Sequence, residues 1–122
     1  MEQMQIKAAL EQAGVDYDKG LERFMGNVAL YHKFLLKFLA DGSYAAFRDE
    51  LAAEDMGAAE KSVHTLKGTS GNLSLMRLFA VADETVLAIR TGKSLADIQE
   101  LADRVGACYD ETCQAIRQSI GE

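Results

Sequence analysis

The chain has 122 residues, 48% of them apolar and 26% charged, which suffices for one domain with its own core and is too apolar for a disordered segment. Its net charge of −6 argues against a nucleic-acid binder, whose phosphate contacts want a basic face. No apolar run approaches the ~20 residues that span a bilayer, and Met1-Glu2-Gln3-Met4 is not the basic start of a secretory signal, so no membrane contact and a cytoplasmic location are expected.

The absence of proline suits helices, and glycines and capping residues divide the chain into helical segments with short joints. A first segment runs from about Glu2 to Ala13 and stops at Gly14; a short second one runs from about Tyr17 to Met25 and stops at Gly26. Asn27 can cap the next helix, where Tyr31, Phe34, Leu35 and Phe38 recur at helical spacing and are expected in the core. Asp41-Gly42-Ser43 then interrupts or bends it before Tyr44, Phe47 and Leu51 continue the pattern, as one bent helix or as two.

Asp55 or Met56 opens a helix that carries His64 and ends near Asn72 or Leu73. Ser74 is expected to cap the following segment, whose apolar stripe is Leu75, Leu78, Phe79, Ala82, Val86 and Ile89, up to Thr91-Gly92. Ser94, with Asp97 three residues on, starts a last long helix. There Ile98, Leu101, Val105, Cys108, Thr112 and Ala115 form a narrow seam. The pattern predicts an all-α fold, an antiparallel up-down-up-down four-helix bundle with one or two short accessory N-terminal helices. The whole of residues 1–122 forms one domain, with accessory helices in 1–26 and the bundle in 27–119.

Cys108 and Cys113 fall about 140° apart on the last helix, which argues for reduced, structural thiols. Two histidines and two distant cysteines offer no metal-ligand spacing, so neither metal nor cofactor is expected. His32 lies beside an apolar stripe and reads as a boundary residue.

His64 is different. At about 100° per residue, Ala59, Val63, Leu66, Ser70 and Leu73 share one face, while Lys61, His64, Gly68 and Gly71 fall roughly opposite. The imidazole points to water, and two helix-interior glycines, each costing about 1 kcal/mol relative to alanine, lie beside it. Between Lys61 and Ala82 there are three basic residues, Lys61, Lys67 and Arg77, and no acidic one, a basic island in an acidic chain. Imidazole is a neutral nucleophile, so an exposed one can accept a phosphoryl group without an activating base. Lys67 and Lys61, three residues to either side, are placed to attract that group, and Gly68 and Gly71 leave room for its donor.

His64-Thr65-Leu66-Lys67-Gly68-Thr69-Ser70 resembles the His-x-Leu-Lys-Gly-[Ser/Thr]-[Ser/Ala] signature of histidine phosphotransfer (HPt) domains of multistep two-component signalling. Leu30-Tyr31 with Leu35 and Phe38 is similar to that family's first bundle helix, so the resemblance covers about residues 16 to 118. Ser74 stands where the family usually has glycine, and Val63 where alanine commonly precedes the histidine.

The resemblance implies that His64 accepts phosphate through Nε2, with Lys67 and Gly68 flanking it. It also implies that response-regulator receiver domains and a sensor (hybrid) histidine kinase are the partners, and that Mg²⁺ sits on the receiver. A monomeric carrier without kinase activity is expected, and the chain has no Gly-rich nucleotide loop. Two other readings are a helical adaptor that binds receivers without transfer and the phosphoacceptor domain of a chemotaxis-type histidine kinase.

Overall fold

In a computed structural model that describes residues 1–121, the helices begin where the sequence supplies side-chain acceptors for free N–H groups. Asn27 accepts from the Leu30 N–H, Asp55 from Ala58 and Ser94 from Asp97, each satisfying a donor that the first helical turn leaves free. Seven helices result among the described residues: α1 Gln3–Gln12, α2 Tyr17–Arg23, α3 Val28–Phe38, α4 Ser43–Ala52, α5 Met56–Asn72, α6 Met76–Arg90 and α7 Leu95–Ile120. Residue 122, the end of the expected domain, lies outside the described residues.

α2 stops short of the expected Met25 because the backbone turns left-handed at Met25 and Gly26, with φ of 57° and 77°. The question of one bent helix or two is answered as two. The Asp41 carboxylate accepts both the backbone N–H and the hydroxyl of Ser43, closing a turn between α3 and α4.

The bundle is closed by α4 on α5, α5 on α6, α6 on α7, and α7 back onto both α3 and α4. The broken pair α3–α4 takes the place of one bundle helix. At 26 residues α7 is about 39 Å long, enough to meet α3, α4, α6 and α1 along its length. Two hydrophobic clusters fill the interior. One unites Ile6, Leu10, Val15 and Tyr17 of the N-terminal segment with Tyr31, Leu35, Leu66, Leu78, Val105 and Ile116. The other joins Phe47, Leu51, Ala59, Val63, Val86, Ile98 and Ala102 at the opposite end. The accessory helices therefore share the core of the bundle.

Two expectations about packing change. Phe34 is 38% exposed, not core, because it sits on the outer flank of α3 against Phe24, with ring centroids 5.3 Å apart. The α7 seam is broader than the alternating row: Ala102, Gly106, Cys113, Ile116 and Ser119 are buried, while Leu101 and Ala115 are only half-buried, since α7 touches helices on several sides. Cys108 and Cys113 are free, buried thiols, and burial pushes both upward in pKa, which keeps them protonated and inert at neutral pH.

Ser74 does not cap α6. The N-cap position is Leu75, which has no side-chain acceptor, and the Met76 and Arg77 N–H groups donate instead to the carbonyl of Gly14 at the α1–α2 joint. The same joint donates Asp16 N–H to the Ser74 carbonyl, and the buried Tyr31 hydroxyl donates to the Leu73 carbonyl at 2.8 Å. The α5–α6 turn is thus satisfied by chain far away in sequence.

Ser74 itself is fully buried with φ of 59°, and its hydroxyl finds no hydrogen-bond partner among the described residues. A left-handed residue favours glycine, which explains why glycine is the usual choice at this place in the resembling family. Ser74→Gly is expected to raise stability by about 1 kcal/mol, through relief of the backbone and loss of an orphan hydroxyl. A denaturant titration checks this; an unchanged or lower midpoint would mean that neither burden is felt.

Candidate functional site

α5 is amphipathic in the expected sense. Ala59, Val63, Leu66 and Ser70 are buried, and Gly57, Lys61, His64, Thr65, Gly68 and Asn72 form the exposed stripe. Val63 belongs to one core cluster and Leu66 to the other, so His64 stands where the two meet, about halfway along the helix and on its outer side. Apolar contacts at both ends hold α5 in place despite its three glycines. The imidazole is presented on a rigid rod.

The two glycines beside His64 have different causes. A Cβ on Gly68 would meet nothing within 4 Å, so no packing inside the chain requires this glycine. A Cβ on Gly71 would lie 3.1–3.2 Å from the ring carbons of Phe79. Within the chain, the space left at Gly71 is used by Phe79 of α6.

Lys67 is not a free cation. Its ammonium lies 2.8 Å from a carboxylate oxygen of Asp83 and 5.9 Å above the Phe79 ring, with its side chain only 26% exposed. Arg77 pairs with Glu111 of α7, so the basic island loses two of its three charges, one to Asp83 just past its end and one to a distant helix. Lys61 is exposed and makes no ion pair among the described residues; its carbonyl accepts the Thr65 hydroxyl.

His32, the other histidine, is half-buried between α2 and α3, with Nε2 2.6 Å from the Tyr17 hydroxyl. Burial lowers its pKa below the ordinary histidine value, which favours the neutral ring. The boundary role expected for it matches this position. Beyond Gly68 the exposed stripe runs into an open groove of about 440 Å³ whose walls include Phe24, Phe34, Lys37, Thr69 and Asn72. No group of three or more His, Cys, Asp or Glu side chains that could hold a metal ion occurs among the described residues. No helix there is long and apolar enough to cross a membrane.

Sequence reasoning missed Asp83 and Phe79. A signal existed, because α5 and α6 form an antiparallel hairpin turning at Leu75. Gly71 with Phe79, Lys67 with Asp83 and Glu60 with Arg90 each stand equidistant from that residue, and each pair is in contact or bridged across the hairpin. Locating the turn at Leu75 would have paired them.

His64 thus lies on the outer surface of a helical bundle, with an open glycine position one turn away. The Hpt domain family model matches residues 39–119, about two thirds of the chain, and the chain belongs to this family. Hpt domains work in phosphorelays with receiver domains and histidine kinases as partners. No curated protein and no solved structure gives a significant match.

Proposed function

We propose that this chain carries a phosphoryl group on Nε2 of His64, taking it from a phospho-aspartate on a receiver domain and passing it to the aspartate of another. The observation that carries the reading is the exposed His64 beside an unobstructed Gly68, inside the segment that the family model matches.

In the forward step the Nε2 lone pair forms the N–P bond as the P–O bond to the receiver aspartate breaks in line. The bonding pair leaves on the carboxylate oxygen, and onward transfer is the reverse step on a second receiver. The chain supplies the nucleophile, a rigid presentation and nearby positive charge, while the divalent metal that neutralises the phosphoryl oxygens is the receiver's Mg²⁺. Lys67, three residues from His64 and held by Asp83 in the unphosphorylated chain, is the group assigned to meet the phosphoryl oxygens. The initial donor in this scheme is the receiver domain of a hybrid sensor kinase.

A phosphorylated receiver domain mixed with the full chain is expected to transfer label within minutes to a bond that is acid-labile and base-stable, and peptide mapping should locate it at His64. Label at any other residue, or none from a panel of phosphorylated receivers, overturns the reading.

A further inference from the structure

We infer that Asp83 is a positioning residue for the phosphorelay site: it seats the Lys67 ammonium on α6 and so lowers the share of phosphate that His64 retains. This inference rests on the phosphoacceptor reading above and deepens it by naming a residue that tunes the bond's stability.

Gly71 sets how closely α6 approaches α5 beside the site. Because this position has no side chain, the Phe79 ring packs directly against α5, 3.1–3.2 Å from where a Cβ would stand. Phe79 and Asp83 lie one turn apart on α6 and face the same helix. Together they form a receptacle for one cation, with the ring 5.9 Å beneath the Lys67 ammonium and the carboxylate 2.8 Å from it. Lys67 is one turn from His64, so the ammonium has two possible anionic partners: the resident Asp83 and a phosphoryl group on the imidazole.

The Asp83 side chain is 41% exposed and Lys67 26%, so this ion pair is in contact with solvent and exchangeable, not locked in the core. In the unphosphorylated chain the charges of Lys67 and Asp83 offset each other. When the phosphoryl group arrives with its additional negative charge, Lys67 must be shared or surrendered by Asp83. That competition weakens the hold on the phosphoryl group and favours its departure, which suits a carrier more than an end acceptor. Phe79 limits the excursion by keeping the lysine stem on the α6 side.

The test is the phosphoryl equilibrium between a receiver domain and the full chain, with the lifetime of the phosphohistidine measured in parallel. Asp83→Asn is expected to shift that equilibrium toward the phosphorylated chain about threefold to fivefold, and to lengthen the lifetime. Asp83→Ser reads the same loss of charge should the asparagine variant fold poorly. Asp83→Glu is expected to restore the wild-type ratio. In a Lys67→Ala background the Asp83→Asn shift should vanish, because the carboxylate acts through the ammonium.

Glu111→Gln alters net charge equally at the Arg77 pair and should leave the ratio unchanged. An unshifted ratio in Asp83→Asn, an equal shift in Glu111→Gln, or a full shift surviving in Lys67→Ala overturns the inference. A wild-type chain that takes no phosphate at His64 overturns the phosphoacceptor reading and this inference together. A labelled chain without the Asp83 effect overturns this one alone.

Discussion

His64→Gln is expected to abolish receiver-dependent labelling completely while leaving the fold intact. Nε2 is the only atom in the proposed transfer that forms a bond to phosphorus on this side, and glutamine has no lone pair of comparable nucleophilicity. The side chain is exposed on the outer stripe of α5, so its replacement removes no core contact, and stability should change by no more than about 0.5 kcal/mol. His32 cannot take over, since its Nε2 is engaged with the Tyr17 hydroxyl and half-buried between helices. Labelling by a phosphorylated receiver and a thermal melt on the same sample separate chemistry from folding. Label that persists on His64→Gln rejects the assignment.

Gly68→Gln is expected to move activity and stability in opposite directions. Nothing stands within 4 Å of a Cβ at this position, so the substitution gains helix propensity without a clash and should stabilise the chain by up to about 1 kcal/mol. The added side chain nevertheless rises from the exposed stripe one turn from His64, where a receiver must bring its phospho-aspartate to bonding distance. A misplacement of about 1 Å in such a step can lower the rate roughly a hundredfold, which is the loss expected in stopped-time transfer assays. Transfer at the wild-type rate would show that the partner does not approach over Gly68. The opposed signs matter, because a variant that simply misfolded would lose both.

Helix α5 was legible because its information is local. Period 3.6 alone separates Val63 and Leu66 from His64 and Gly68, and the caps Asn27, Asp55 and Ser94 act on N–H groups three residues away, so a linear reading finds them. Ser74 failed as a cap for the opposite reason. Its backbone is left-handed and its carbonyl receives Asp16, while the donors it was expected to satisfy go to Gly14, some sixty residues earlier. No pattern within α6 encodes that partner. Phe34 shows the same limit: helical spacing groups it with Tyr31 and Phe38, but only the placement of α2 decides which side of α3 is covered.

The site divides in the same way. The exposure of His64 and the freedom at Gly68 follow from the order of residues along one helix, and the motif from His64 to Ser70 carried the family resemblance that the match over residues 39–119 supports. The state of Lys67 did not follow. In sequence it belongs to a stretch without acids; in the fold it rests on Phe79 and Asp83, and Gly71 serves that packing. By itself the sequence determined the helices, the two faces of α5 and the exposure of His64, because these depend on neighbours three and four residues apart. Only the tertiary structure decided how the α5–α6 turn is satisfied and which carboxylate holds the lysine, because those contacts join helices whose register depends on the packing of the whole bundle.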